Sequence, residues 1–397
     1  MSSPLVAERL RGVEASPTLA LAAKANALKD AGKPVVDFTA GEPDFPTPQA
    51  VKTAAIKAIE QNRTKYTPVA GIADLRKAVA ADLNRRLDMK YAAAEVMVSC
   101  GAKHVLYNTL QAICEPDDEV IVLAPYWVSY PPLVQLADAK PVIVQTSEQD
   151  GFQPDINAIK AKITPKTRAI ILNSPSNPTG AVITERMLEE LAAAVKGARR
   201  DSLFIISDEI YDQIVFEPAK PQSIVQVKGG RELLGQIILV NGVSKSYSMT
   251  GWRIGYAAGP QHIIEAMINL QSHSTSNPTS ISQYAALEAL TNTEMPAQVR
   301  QMSQEFQRRR DRLVGGLNKL PGLSCFNPQG AFYAWCNVSK LGLPADAVAR
   351  RWLEEAFLAI VPGEGFGSPH HVRFSFAASM DAIDEGLSRL EQWVTKR

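Results

Sequence analysis

An α/β fold, with a mostly parallel sheet between helices followed by a smaller α+β domain, is what this 397-residue sequence predicts. Three observations predict it. Short apolar, β-branched runs alternate with helical stretches, and each run ends in a loop rich in Pro, Ser, Asn or Gly. The runs are too apolar to leave a face in water, which implies a parallel sheet covered on both sides. Beyond Ser272 the texture changes to long charged helices and then to aromatic runs that alternate like strands.

Taken in order, Thr18 to Ala31 is alanine-rich, carries leucines and ends before Gly32, so it predicts a helix. V-V-D-F-T-A-G-E-P-D-F-P follows as a short strand giving way to loop, with Gly41 either an ordinary turn residue or a point of close backbone approach. Thr47 to Glu60 predicts a second helix, and Tyr66 lies in the loop before a third. An isolated loop tyrosine is more often a packing residue than a ligand contact. Glu95 to Ser99 reads as a strand, followed by C-G-A-K-H and a helix start. That junction aims unpaired backbone N–H groups at one spot and favours an anion, although the Walker spacing is absent. Further strands are expected at Glu119 to Ala124, Pro141 to Val144, Ala169 to Leu172, Leu203 to Ser207 and Ile237 to Val240. Ligands in such sheets sit beyond the carboxyl ends of the strands. Trp127, Asn177, Asp208, Tyr211 and Lys245 all fall just after such ends. In the last third, Arg308 to Arg310 reads as a solvated helix face, and A-F-Y-A-W and V-R-F-S-F as strands with one exposed face.

Lys and Arg total 42 against 41 acidic residues, so charge gives no reason to expect nucleic acid or an anionic membrane as partner. A small molecule is expected instead. Acids and arginines occupy the opening segment where a signal peptide needs an apolar core, and no apolar run reaches membrane-span length, so a cytoplasmic location is expected. The four cysteines are well separated and read as reduced packing residues. Five scattered histidines and no H-E-x-x-H leave no expectation of a metal site.

The chemistry concentrates at Asn241 to Tyr256, N-G-V-S-K-S-Y-S-M-T-G-W-R-I-G-Y. An amine at Lys245, held at a strand end, can form a Schiff base with an aldehyde, and the planar donor fork of Arg253 can hold a phosphate. An aldehyde joined to a phosphate is pyridoxal phosphate.

The ordered set Y-T-P-x-x-G, S-P-x-N-P-T-G, S-D-E-I-Y, the Lys245 window and V-R-F-S-F resembles the fold-type I pyridoxal-phosphate aminotransferases of class I, nearly end to end. The likeness is greatest to the bacterial and plastid-type aspartate aminotransferase branch, which includes prephenate aminotransferases. The resemblance implies a large domain with a seven-stranded-type sheet at 48–290, a small domain at 291–397, and an arm at 1–47 that joins the small one. It implies Lys245 as the Schiff-base lysine and proton carrier, and Asp208 opposite the pyridine nitrogen. Asn177 and Tyr211 would donate to the ring oxygen, with Tyr211 grouped among the catalytic residues. Trp127 would stack on the ring, and with Asn177 it would border the substrate. Arg253, the backbone at Gly101, Ala102 and Lys103, and Tyr66 from a neighbouring subunit would hold the phosphate, so a homodimer is implied. Arg373 would take the substrate's α-carboxylate as a bidentate pair, near the Gly41 backbone.

The chain departs from the family pattern at two places. The run Leu270 to Thr275 lacks the arginine that binds a distal carboxylate in another branch, so Lys103, with Ser16 and Thr18, would supply that contact. Gly101 stands where the family's phosphate loop often has Ser or Thr, and Gly242 replaces a serine, which leaves more of the phosphate's binding to backbone N–H groups and Arg253. The expected reaction moves an amino group from aspartate to 2-oxoglutarate. Prephenate or aromatic amino acid transamination, or a β-lyase on the same fold, is the alternative.

Overall fold

A computed structural model describes residues 7–10, 17–198, 200 and 202–396. Its strands are β1 Val36–Asp37, β2 Val96–Ser99, β3 Glu119–Ala124, β4 Lys140–Gln145, β5 Thr167–Asn173, β6 Phe204–Asp208 and β7 Ile237–Gly242. They continue as β8 Gly255–Ala258, β9 Ser324–Cys325, β10 Tyr333–Asn337, β11 Leu358–Ala359, β12 Val361–Pro362 and β13 His371–Ser375. Boundaries differ from the sequence expectation by a residue or two, as helix and strand ends commonly do.

The main sheet has 7 strands in the order β2-β8-β7-β6-β5-β3-β4. Neighbours from β7 to β4 pair in parallel, whereas β8 runs antiparallel to both β2 and β7. Alternation along the strands sends side chains to two separate cores, because successive residues point to opposite faces. Ile170, Leu172, Ile205, Ile237 and Leu239 join one apolar cluster, and Ala169, Ile171, Ile206, Ile238 and Val240 join the other. Both faces are therefore covered, as the apolar runs require.

Strand β8 is an addition to the expected set. G-Y-A-A is short, and its place in the sheet depends on packing that local pattern does not record. A Cβ on Gly255 would lie 2.2 Å from the Ala102 nitrogen, so the glycine lets the helix Ala102–Ile113 start hard against the sheet.

A second sheet, β12-β13-β10-β9, packs against the helices Met295–Leu317 and Ala345–Ala356, and the helix Met380–Thr395 packs on both of those helices. Two expectations are corrected here. Strands β10 and β13 are buried throughout except at Asn337, rather than exposed on one face. Tyr333, Val372 and Phe374 enter one core while Trp335 enters another with Val361 and Phe366. Of the supposed solvated arginines only Arg308 is exposed; Arg309 and Arg310 are buried. Helical spacing puts them on the same side as Phe306 and Leu313. Arg309 pairs with Glu305 at 2.9 Å and Asp44 at 2.7 Å, while Arg310 donates to the Pro328 carbonyl at 2.5 Å. Their charges are thereby compensated.

The cysteines are free, but Cys325 and Cys336, distant in sequence, stand directly opposite one another across β9 and β10. Strand β1 pairs in parallel with β11, which ties the start of the described chain to its last third. No helix among the described residues is long and apolar enough to cross a membrane.

Candidate active site

The carboxyl ends of β5, β6 and β7 and the start of the helix Ala102–Ile113 open onto one cavity of about 420 Å³. Gly41, Ala102, Lys103, Trp127, Asn177, Asp208, Tyr211, Lys245, Arg253 and Arg373 all border it. Four cationic side chains, Lys103, Lys245, Arg253 and Arg373, face two carboxylates, Glu42 and Asp208, so the cavity favours an anionic guest.

Asp208 ends β6 and is buried. Burial pushes its carboxyl up to about 6, against the pull of the Tyr130 hydroxyl, the Ile210 N–H and the Lys245 charge. Tyr130 donates to Oδ2 at 2.7 Å and Ile210 N–H to Oδ1 at 3.2 Å. Lys245 follows β7, and its Nζ donates to the Gly41 carbonyl. Burial lowers its ammonium to about 8; Glu42 opposes that shift, and the neighbouring Arg373 and Arg253 reinforce it.

At one end of the cavity Gly101 has φ +89° and caps the helix without a side chain. Its carbonyl accepts from His104 and Val105, and among the described residues no carbonyl accepts from the N–H groups of Ala102 and Lys103. Arg253 leans over this helix start, donating to the Thr250 carbonyl at 2.9 Å and the Cys100 carbonyl at 3.4 Å. A Cβ on Gly101 would fall 2.4 Å from Arg253 Nη2. The serine or threonine common in related loops would therefore push the guanidinium aside.

Arg373, from β13, is buried at 3% exposure. It donates to Asn177 Oδ1 at 3.0 Å and to the Thr39 carbonyl at 3.1 Å, and its guanidinium lies 4.4 Å from the Tyr333 ring centre. Its Nε has no partner, and no carboxylate among the described residues is ion-paired with it. A buried cation with a spare donor is a seat prepared for an anion.

The residues suit a phosphate, an aromatic ring and an aldehyde in turn. The free N–H groups with Arg253 suit the first, Trp127 with Asp208 the second, and Lys245 the third. Tyr211 lies with its hydroxyl 3.0 Å from that of Tyr333, and Lys103 holds its ammonium 4.8 Å from the Trp127 ring centre.

Tyr66 is not brought to this cavity. It is 92% exposed on the loop before the helix Ala73–Leu87. Ser16 and the Thr18 side chain lie outside the described residues. Sequence reasoning missed Tyr130, Tyr333 and Glu42, which all border the cavity. Tyr130 had a readable signal, since it follows the β3 end in P-Y-W-V-S-Y. Glu42 and Tyr333 had none, because tertiary packing alone brings their segments to the sheet. No group of three or more potential metal ligands occurs among the described residues.

The sequence pattern of the family described as Aminotransferase class I and II matches residues 33–390. The chain is 44% identical over 396 residues to the aspartate aminotransferase of Bacillus subtilis (strain 168), covering 98% of this chain and 99% of that one. It is 43% identical over 385 residues to the aspartate/prephenate aminotransferase of Thermus thermophilus, covering 97% of each. Among solved structures, the Thermus thermophilus aspartate aminotransferase with maleate superposes with a TM-score of 0.93 at 42% identity, covering 99% of this chain and 100% of that one. The Rhizobium meliloti aspartate aminotransferase also superposes at 0.93, with 38% identity and 99% coverage of each. Similarity of this extent, over a cavity that holds a lysine, an aspartate and two arginines in common reach, shows that the chain belongs to the class I and II aminotransferases.

Proposed function

We propose that the chain is a pyridoxal-phosphate-dependent aspartate aminotransferase, moving the amino group of L-aspartate to 2-oxoglutarate to give oxaloacetate and L-glutamate. One observation carries the reading: a single cavity joins a lysine shifted toward its neutral amine, a buried carboxylate, and two arginines with no acidic partner among the described residues. Bound there, pyridoxal phosphate supplies the aldehyde that receives the amino group and a ring that draws electrons from the substrate's α-carbon.

The chain's own residues do the rest. Arg253 and the N–H groups of Ala102 and Lys103 would hold the phosphate, Trp127 would cover one ring face, and Asn177 and Tyr211 would donate to the ring oxygen. Asp208 would face the ring nitrogen and keep it cationic. Lys245 Nζ would hold the aldehyde and would serve as the base for the substrate's α-proton; an amine lowered to about 8 is suited to that work near neutral pH. Arg373 grips the α-carboxylate beside Gly41. Lys103 receives the distal carboxylate, a role supported by its place on the cavity wall and by the solved relative's maleate, itself a dicarboxylate. Ser16 and Thr18 are proposed to assist it.

The division into a large domain at 48–290 and a small one at 291–397 joined by the 1–47 arm fits the two sheets and the β1–β11 pairing. Gly41 and Arg373 then belong to the small domain, so substrate draws it over the cavity and excludes water. A homodimer completes the site with Tyr66 from the neighbour. That tyrosine is 92% exposed, and on the preceding helix Ile56 and Ile59 are 53% and 52% exposed.

Prephenate or aromatic amino acid transamination is the second reading, favoured by the dual name of the Thermus relative and by the missing arginine at Leu270 to Thr275. A panel of amino donors and 2-oxo acids, assayed with the cofactor-loaded protein, ranks the two. Release of ammonia and pyruvate instead of a new amino acid would identify a β-lyase. Lys245→Ala is expected to lose the visible absorbance of the loaded enzyme and nearly all turnover, and retention of both would refute the assignment.

A further inference from the structure

Asp208 is held more firmly than its proposed role requires of a single side chain. Its backbone carbonyl accepts from Asn173 Nδ2 at 3.0 Å and from Ser174 N–H at 3.3 Å. Each carboxylate oxygen has its own donor: Ile210 N–H on Oδ1 and the Tyr130 hydroxyl on Oδ2. Two donors on two oxygens set the plane of the carboxylate as well as its charge. Tyr130 begins the helix Tyr130–Leu136 and is buried at 2% exposure. Its ring also meets the Trp127 indole edge-on, with centroids 5.4 Å apart. One side chain thus touches both the carboxylate and the aromatic that flank the cavity.

We propose that Tyr130 is a positioning residue, which keeps Asp208 ionised and aimed at the ring nitrogen while bracing Trp127 against the ring. Burial, then the neighbouring Asp208 charge, raise the Tyr130 hydroxyl well above its ordinary range, so it is a neutral donor near neutral pH. The other charged or titratable groups near Asp208 are Lys245, which favours its ionised form, and Tyr211, whose own hydroxyl is held neutral by burial. Neither replaces the hydrogen bond on Oδ2. Without that bond the carboxylate becomes more basic, and the proton shared with the ring nitrogen moves toward Asp208. A hydrogen bond to a charged acceptor sets the scale: the ratio of charged to neutral carboxyl at a given pH falls about tenfold to a hundredfold.

This inference rests on the reading of Asp208 as the nitrogen's partner, and the test separates the two. Tyr130→Phe keeps the edge contact with Trp127 and removes only the donor. In protein loaded with ring-¹⁵N pyridoxal phosphate, the wild-type nitrogen signal is expected at its protonated position and that of Tyr130→Phe displaced toward the unprotonated one. kcat should fall at least about tenfold, with a much smaller change in KM for the amino donor. A second substitution, 3-fluorotyrosine at position 130, offers a stronger donor at nearly the same volume and should keep the signal at its protonated position, with kcat close to wild type. A wild-type nitrogen that is unprotonated would overturn the role of Asp208 itself. A protonated wild-type signal that Tyr130→Phe does not move, with a lowered Tm of the cofactor-free Tyr130→Phe protein, would show Tyr130 to be packing only.

Discussion

Gly101→Ala tests the phosphate seat most directly, because the structure separates two effects of one methyl group. The backbone at 101 has φ +89° and ψ 162°, a region essentially reserved for glycine, and alanine there costs about 1–3 kcal/mol. Unfolding entropy of about 2.1 cal/mol/K per residue turns that into a Tm about 1–4 °C lower for the cofactor-free chain. The second effect falls on binding. The new Cβ would come 2.4 Å from Arg253 Nη2, the mobile end of the side chain, so the guanidinium moves aside with little further loss of stability. The displaced donor no longer reaches the phosphate, and a charge-assisted hydrogen bond of about 1.5–3 kcal/mol is lost. The expected cofactor dissociation constant is about tenfold to a hundredfold higher, read by titrating cofactor-free protein with pyridoxal phosphate and following the absorbance. An alanine variant with unchanged Tm and unchanged affinity would refute both the backbone argument and the placement of the phosphate at this helix start.

Arg373→Met and Lys103→Met should differ in selectivity. Two charge-assisted hydrogen bonds are at stake at Arg373, so kcat/KM should fall about 10²- to 10⁴-fold for aspartate and for an aromatic donor alike. Loss of Lys103 should raise KM for aspartate about tenfold to a hundredfold and leave a neutral donor nearly untouched; equal effects on both would remove Lys103 from the distal site. Since burial lowers the Lys245 ammonium to about 8, the neutral amine is the minority form below that pH and the majority above it. The rate at which cofactor-free protein combines with pyridoxal phosphate should therefore rise about tenfold per pH unit below 8 and level off above it, measured by stopped-flow absorbance; a rise continuing to pH 10 would contradict the burial argument. Mixing Lys245→Ala with Tyr66→Phe chains leaves one native site in each hybrid dimer. At limiting cofactor, about a quarter of wild-type activity should return, and none would place Tyr66 outside the neighbouring site.

Local pattern was enough for the strands of the parallel sheet. Ile170, Ile205 and Ile238 sit in runs whose β-branched, apolar character has one stable use, burial on both faces. The rule that ligands lie beyond strand ends then pointed to Trp127, Asn177, Asp208, Tyr211 and Lys245, and the structure gathers all of them around one cavity. Motif order supplied Arg253 and Arg373, which no periodicity singles out.

What the tertiary structure alone decided are the relations between segments far apart in the chain. Arg309 and Arg310 look like a solvated charge run until Asp44 and the Pro328 carbonyl arrive from elsewhere to compensate them. Strand β8 exists because Gly255 lets a helix start rest on it, and the glycine at 101 is required because Arg253 crosses above it. Tyr130 acquires its meaning only when β6 brings Asp208 within 2.7 Å. A sequence records which side chains must leave water, since that depends on each residue and its near neighbours. Which charge meets which partner, and how far burial shifts it, depends on the low-dielectric surroundings that only the packed fold creates.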